Sequence, residues 1–210
     1  PETTEPAGPK VYLETFGCQM NVLDSQLLTS QLRALGYRFV DDWQAADVVL
    51  YNTCSVREHA AQKVWSRVGR VGKLKQERPG LVLGVIGCMA ERDGTDMVSR
   101  YPQIDVLCGP GELDKVPQLI DNAVRTRPAE RGGKRNAQVA LQGNTHRRSQ
   151  TLSAAEDQLE LIDLSRSFDP GDQLAGGRSA YVRITRGCNK FCTYCVVPQT
   201  RGREVHRPPE

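Results

Sequence analysis

Long apolar runs are missing from this sequence. None of its 210 residues fall in a stretch near the ~18 consecutive apolar residues that a membrane span requires. The first nine residues, Pro1 to Pro9, form a Pro/Glu/Thr tail without the apolar stretch of a signal peptide, and are expected to be disordered. Histidine is scarce: His59, His146 and His206 have no partners assignable from sequence, and each reads as a surface residue. The seven cysteines are odd in number and widely spaced, unlike a secreted disulfide framework. Reduced thiols point to the cytosol, where their use is metal or cluster ligation. The remaining composition, 39% hydrophobic and 25% charged, is that of a globular protein with one large or two small domains. A net charge of +3 permits a nucleic-acid partner without arguing for one.

The strongest signal lies near the carboxyl end, in Arg186-Gly187-Cys188-Asn189-Lys190-Phe191-Cys192-Thr193-Tyr194-Cys195. The Cys-x-x-x-Cys-x-x-Cys spacing gathers three thiolates around one small object. Zinc sites usually take four ligands from paired Cys-x-x-Cys knuckles, and no second knuckle exists here. Soft thiolates on one loop suit an iron–sulfur cluster. A four-iron cluster held by three cysteines leaves one iron open to another ligand. The bland alternative is three buried or disulfide-forming cysteines.

Along the chain, Lys10 to Phe16 alternates like a strand, and Asp24 to Leu35 has leucines at helical spacing, stopped by Gly36. Tyr37 to Val40 reads as a short strand. Asp47 to Tyr51 and Leu81 to Ile86 read as strands buried on both faces. Ser55, with Glu58 as the partner of a capping box, is expected to start a helix running to about Glu77. A shorter helix is expected at Asp96 to Arg100, a strand at Ile104 to Leu107, and a last helix at Glu112 to Arg125 despite Pro117. Strands alternating with helices predict an α/β fold: a parallel sheet with helices on both faces.

Within that pattern Cys18, Cys54 and Cys88 each follow directly on a strand, and each is expected to begin a loop leading to a helix. Ligands of parallel sheets bind beyond the carboxyl ends of strands. Three distant thiols are therefore expected at one sheet edge, as a second cluster site. Each alone reads as a small buried hydrophobe; their shared topological position favours ligation. Cys108, in an apolar setting, reads as a core residue.

Residues 10–126 are thus expected to form one domain and residues 127–178 a linker, basic and then acidic. Gln158 to Leu164 within it has some strand character. Ala180 to Thr185 is expected to be the first strand of the next domain, spanning residues 179–210. Arg183, Arg186, Arg201, Arg203 and Arg207 surround the cysteine loop and suit either a nucleic-acid backbone or a carboxylate. Arg57, Lys63, Arg67, Arg70, Lys73 and Lys75 read as the solvated face of the long helix.

The C-x-x-x-C-x-x-C loop with Tyr194 before its last cysteine resembles the signature of radical S-adenosylmethionine (SAM) enzymes. Together with Phe16-Gly17-Cys18-Gln19-Met20-Asn21, Asn52-Thr53-Cys54-Ser55-Val56-Arg57-Glu58, Gly87-Cys88-Met89-Ala90 and Val196 to Arg203, it resembles the methylthiotransferases. The residues beside Cys18 and Cys54 look like the branch of that family acting on tRNA isopentenyladenosine. The resemblance implies two [4Fe-4S] clusters. One, on Cys188, Cys192 and Cys195, cleaves SAM to a 5′-deoxyadenosyl radical, with Tyr194 near the adenine. The other, an auxiliary cluster on Cys18, Cys54 and Cys88, presents the sulfur. Two SAM molecules would serve to add a methylthio group to C2 of the adenine at position 37, beside the anticodon. It implies a parallel-sheet amino-terminal domain, then the first strand and cluster loop of a radical-SAM (β/α) barrel. A cytoplasmic monomer is expected, with a tRNA substrate and unidentified electron and sulfur donors. Since the sequence stops soon after the first barrel strand, the chain is expected to be a fragment, inactive alone. The rival readings are a non-catalytic iron–sulfur electron carrier, a zinc-binding structural domain, and a methylthiotransferase for a ribosomal protein or threonylcarbamoyl adenosine.

Overall fold

The computed structural model describes residues 8–126, 137–141, 181–190 and 192–206. Most of the amino-terminal tail, the Gln158–Leu164 stretch, His146, Phe191 and Arg207 lie outside the described residues.

Six parallel strands make the main sheet: β1 (Lys10–Thr15), β2 (Arg38–Phe39), β3 (Val48–Thr53), β4 (Val82–Gly87), β5 (Val106–Cys108) and β6 (Gln138–Ala140). Their spatial order is β2-β1-β3-β4-β5-β6. Val48 pairs with Val11 on one side and Val82 on the other, and Gly84 pairs with Val106. Every residue of β3 and β4 is buried, as central parallel strands covered on both faces require. Alternation sorts their side chains into two cores. Val48, Leu50, Val82 and Ile86 pack with Leu28 and Leu32 of α1 (Gln19–Ala34) and Ile120 of α4 (Val116–Arg125). Val49, Tyr51, Leu83 and Val85 pack with Val64, Val68 and Val71 of α2 (Glu58–Glu77) and Met97 of α3 (Cys88–Arg100). Helices α1 and α4 thus cover one face and α2 and α3 the other, the doubly wound arrangement that alternating strands and helices predict.

Several local expectations are corrected. Helix α1 starts at Gln19, not Asp24, so Cys18 is its N-cap. Helix α3 starts at Cys88 and runs to Arg100 across a break at Gly94, rather than starting near Asp96. These two cysteines therefore open helices, and no loop separates them from the helix. Ser55 does not cap α2: the helix begins at Glu58 after Arg57, and the Ser55 hydroxyl is buried without a hydrogen-bond partner. Pro117 is tolerated because it lies in the first turn of α4, where its missing N–H has no intrahelical acceptor. Lys75 is not on a solvated face: it is 5% exposed and pairs with Asp105, and its ammonium also donates to Gln103 O at 2.6 Å. Arg67 pairs with Glu14 at 3.3 Å. The sixth strand, β6, lies inside the stretch read as linker, where it extends the sheet beside β5.

Past the linker, Thr185–Arg186 (β7) pairs antiparallel with Val205–His206 (β8). The expected strand over Ala180 to Thr185 is thus shorter and shifted toward the cysteines, and among the described residues its only pairing is this hairpin. Tyr181, Val182 and Ile184, which precede it, are exposed.

Leu50 is fully buried between β1 and β4. Leu50→Ala should cost ~2–5 kcal/mol of unfolding free energy, read from the urea midpoint; a loss below about 1 kcal/mol would show that the sheet is not a packed core.

Candidate cysteine site at the carboxyl edge of the sheet

Cys18, Cys54 and Cys88 follow β1, β3 and β4, three strands adjacent in the sheet. β1 and β3 flank the point where the strand order reverses, with α1 and α2 leaving on opposite faces, the usual ligand crevice of such sheets. Two glycines bring the cysteines in. Gly17 has φ 115°, and a Cβ there would overlap Cys54 Cβ and lie 2.9 Å from Cys54 Sγ. Gly87 has φ 91°, and a Cβ there would collide with Asn52 Oδ1 and lie 2.7 Å from Thr53 O. Both positions favour glycine on backbone grounds, and both lack room for a side chain.

Asn21 is the keystone between the loops. It is fully buried, and its amide donates to Phe16 O at 2.8 Å and Thr53 O at 2.9 Å, tying the loop after β1 to the loop after β3. Cys18 Sγ and Cys88 Sγ stand 3.9 and 4.0 Å from its Oδ1, which caps their separation at the sum of the two. Behind it, Asn52 Nδ2 donates to Asn21 O at 2.8 Å and Ser25 Oγ at 2.9 Å, and Ser25 is 2.7 Å from Thr15 Oγ1. Thr53 Oγ1 donates to Ile86 O at 2.6 Å, binding the end of β3 to that of β4. Arg57 is exposed, as expected of a solvated face, and donates to Gly17 O at 3.2 Å. Arg92 donates to Ser55 O at 3.2 Å beside the Cys54 loop.

The fourth contributor comes from the other end of the chain. Arg201 Nη2 donates to Asp24 Oδ2 at 2.6 Å and Asn21 Oδ1 at 2.9 Å. The two charged side chains are only 9% and 3% exposed. Burial pushes the Cys88 thiol up from its ordinary range, while the Arg201 guanidinium and the Thr200 hydroxyl pull it back. Burial opposes the charge on Arg201, but Asp24 and the sulfurs of Cys88 and Cys18 hold it firmly protonated.

The second cysteine loop is a closed hairpin. Cys188 N–H donates to Gly202 O at 3.0 Å, Glu204 N–H to Asn189 Oδ1 at 3.0 Å, and Cys195 N–H to Cys192 O at 3.0 Å. Lys190 N–H points at Cys188 Sγ, 3.4 Å away. Cys188 and Cys195 are half-buried, Cys192 is exposed, and Tyr194 is 90% exposed. His206 is held by Thr185 and Glu204 on the surface, and His59 is exposed. Among the described residues, no three His, Cys, Asp or Glu side chains are grouped as ligands of a metal ion. The thiols stand on neighbouring loops rather than in a closed shell. Their donor chemistry, sulfur alone on adjacent loops beside a buried guanidinium, fits a sulfur-ligated cluster.

Cys108 is separate. It lies in the core under α4, donates to Glu112 O at 3.1 Å, and burial drives its thiol well above the ordinary range. Sequence reasoning placed the cysteines but missed Asn21, Asp24, Ser25 and Asn52, and gave Arg201 an external role. Asp24 carried a signal: an acid beside Leu23, Leu27 and Leu28 on the apolar face of α1 needs a buried cation.

Fold and site define a doubly wound α/β domain with a cysteine-lined sheet edge, joined to a second three-cysteine loop. Residues 10–109 match the family described as "Uncharacterized protein family UPF0004". The chain is also 42% identical over 200 residues to the tRNA-2-methylthio-N(6)-dimethylallyladenosine synthase of Burkholderia ambifaria, covering 95% of this chain and 38% of that protein. It is 41% identical over 209 residues to the Bordetella parapertussis protein of that name, covering 99% and 38%. The chain thus spans 38% of the length of these relatives.

Two outcomes check this geometry. Gly17→Ala should destabilise the fold by ~1–3 kcal/mol, the usual cost of a strained backbone, with the clash against Cys54 added; unchanged urea stability would refute the close approach. Cys108 should resist iodoacetamide at pH 8 in the folded chain and react on denaturation; rapid labelling of the native protein would contradict its burial.

Proposed function

We propose that the chain is part of a tRNA methylthiotransferase of the cytoplasm. It would add a methylthio group to C2 of N6-isopentenyladenosine at position 37, using SAM. The observation that carries this reading is the gathering of Cys18, Cys54 and Cys88 beyond three adjacent strands, with Arg201 reaching them from beside the second cysteine loop. The names of the relatives support the substrate class. Among the described residues no helix is long and apolar enough to cross a membrane.

In this reading Cys18, Cys54 and Cys88 hold an auxiliary [4Fe-4S] cluster, and Cys188, Cys192 and Cys195 hold the cluster that binds SAM. When bound, the clusters supply sulfur and one-electron chemistry, which side chains cannot provide at an aromatic C–H. The protein's own part is placement. Asn21 and Thr53 brace the three strand-end loops against one another, and Arg201 offsets negative charge at the sulfurs. Lys190 N–H and the Gly202 carbonyl shape the Cys188 turn, and the exposed Tyr194 would pack near the adenine of SAM. A monomer suffices for this arrangement.

Anaerobic reconstitution with iron and sulfide, followed by iron counting and Mössbauer spectroscopy, tests it. The chain should hold about eight irons in two four-iron sites, falling to about four when Cys188, Cys192 and Cys195 are changed to Ala. Zinc in place of iron, or no iron left in the triple variant, would refute the auxiliary site. Loss of methylthio-isopentenyladenosine from tRNA in a deletion strain tests the substrate; an unaltered tRNA with loss of a ribosomal-protein modification would defeat it.

A further inference from the structure

We infer that Arg201 is the positioning residue that couples the two cysteine sites, and that its buried charge sets the reduction potential at Cys18, Cys54 and Cys88. This rests on the reading above that those three thiols hold a cluster.

The placement is unusual for a residue so close to the second cysteine loop. Arg201 bonds partners 177 and 180 positions away in sequence, Asp24 and Asn21, and its side chain is almost wholly withdrawn from water. Its neighbour on the carboxyl side faces the second loop: the carbonyl of Gly202 accepts the N–H of Cys188. Two consecutive residues therefore bind the two sites, Arg201 the sheet edge through its side chain and Gly202 the second loop through its backbone. A displacement of either loop moves the other.

Charge gives Arg201 a second task. With the cysteines protonated, Asp24 and Arg201 balance and the pocket is neutral. Ligation changes that. Three thiolates around a doubly positive four-iron core leave one net negative charge, and one-electron reduction leaves two. Asn21 Oδ1 then loses the hydrogens offered by the thiols, which ligation removes, and both Asn21 N–H groups stay committed to Phe16 and Thr53. Its remaining donor is Arg201 at 2.9 Å. In a buried setting a fixed cation beside the sulfurs favours the more negative, reduced state, and the Asp24 carboxylate opposes it.

The test uses the chain with Cys188, Cys192 and Cys195 changed to Ala, reconstituted anaerobically so that only the auxiliary site is read. Dithionite supplies the electron in a mediated titration followed by electron paramagnetic resonance. R201Q should disfavour reduction about tenfold, a shift of about 59 mV to lower potential for one electron. D24N should shift it the opposite way by a similar factor, and R201K should restore most of the parent value. Opposite signs from two partners of one ion pair are not produced by a merely structural role. If R201Q fails to fold because Asp24 is left uncompensated, D24N decides, since it leaves the guanidinium in place. A D24N potential equal to the parent's overturns the proposal, as does a folded R201Q with unchanged potential. Absence of iron from the parent itself overturns the cluster reading, and this inference with it.

Discussion

The side chain of Asn21 satisfies carbonyls on two different loops at once, and the carboxyl edge of the sheet depends on that bridge. Phe16 O and Thr53 O both point into a region where no strand continues. A buried carbonyl left unsatisfied costs ~1–3 kcal/mol, so one amide that serves both keeps the loops of Cys18 and Cys54 at a fixed separation. Asn52 and Ser25 fasten the backbone of Asn21 from behind. The cysteines are thereby set by the same hydrogen bonds that end the strands, and a site on rigid elements holds its geometry better than one on free loops.

The Asp24–Arg201 pair adds an electrostatic constraint to this frame. Two charges withdrawn from water are costly, and removing one partner of such a pair costs ~3–5 kcal/mol because the other is left uncompensated. A helix built only to pack against β1 would carry an apolar residue at Asp24. Its presence on the buried side of α1 makes sense because Arg201 arrives from the second cysteine loop. The pair thus joins two stretches of chain that the sheet does not connect.

The two cysteine sites are built in different ways. The sheet-edge thiols are brought together by three parallel strands, two glycines that give close approach, and a shared asparagine. The second set lies on one short hairpin whose spacing is local, closed by the Cys188–Gly202 hydrogen bond and open to solvent at Cys192 and Tyr194. A locally encoded loop is readable in a motif; an edge assembled from distant strands is readable only through its topology.

That difference explains what could be known from sequence. The nearly continuous apolar runs at Asp47–Tyr51 and Leu81–Ile86 announced buried parallel strands, because a strand covered on both faces has no polar side to show. The meeting of Cys18, Cys54 and Cys88 at one edge followed from their places after three strands, since parallel strands all end at one edge. Helix starts were less legible. Cys18 caps α1 although cysteine is not a favoured capping residue, α3 starts at Cys88 behind Gly87, and Ser55, a favoured cap, does not cap a helix. Strand β6 was hidden in a polar segment because an edge strand needs little apolar surface. Sequence assigned Lys75 to a solvated face and Arg201 to a nucleic-acid backbone or a carboxylate ligand, not to Asp24. The sequence determined the strand and helix order and the two cysteine sets, because periodicity and spacing are local. Only the tertiary structure decided that Asn21, Asp24 and Arg201 meet, because a buried charge finds its partner through packing.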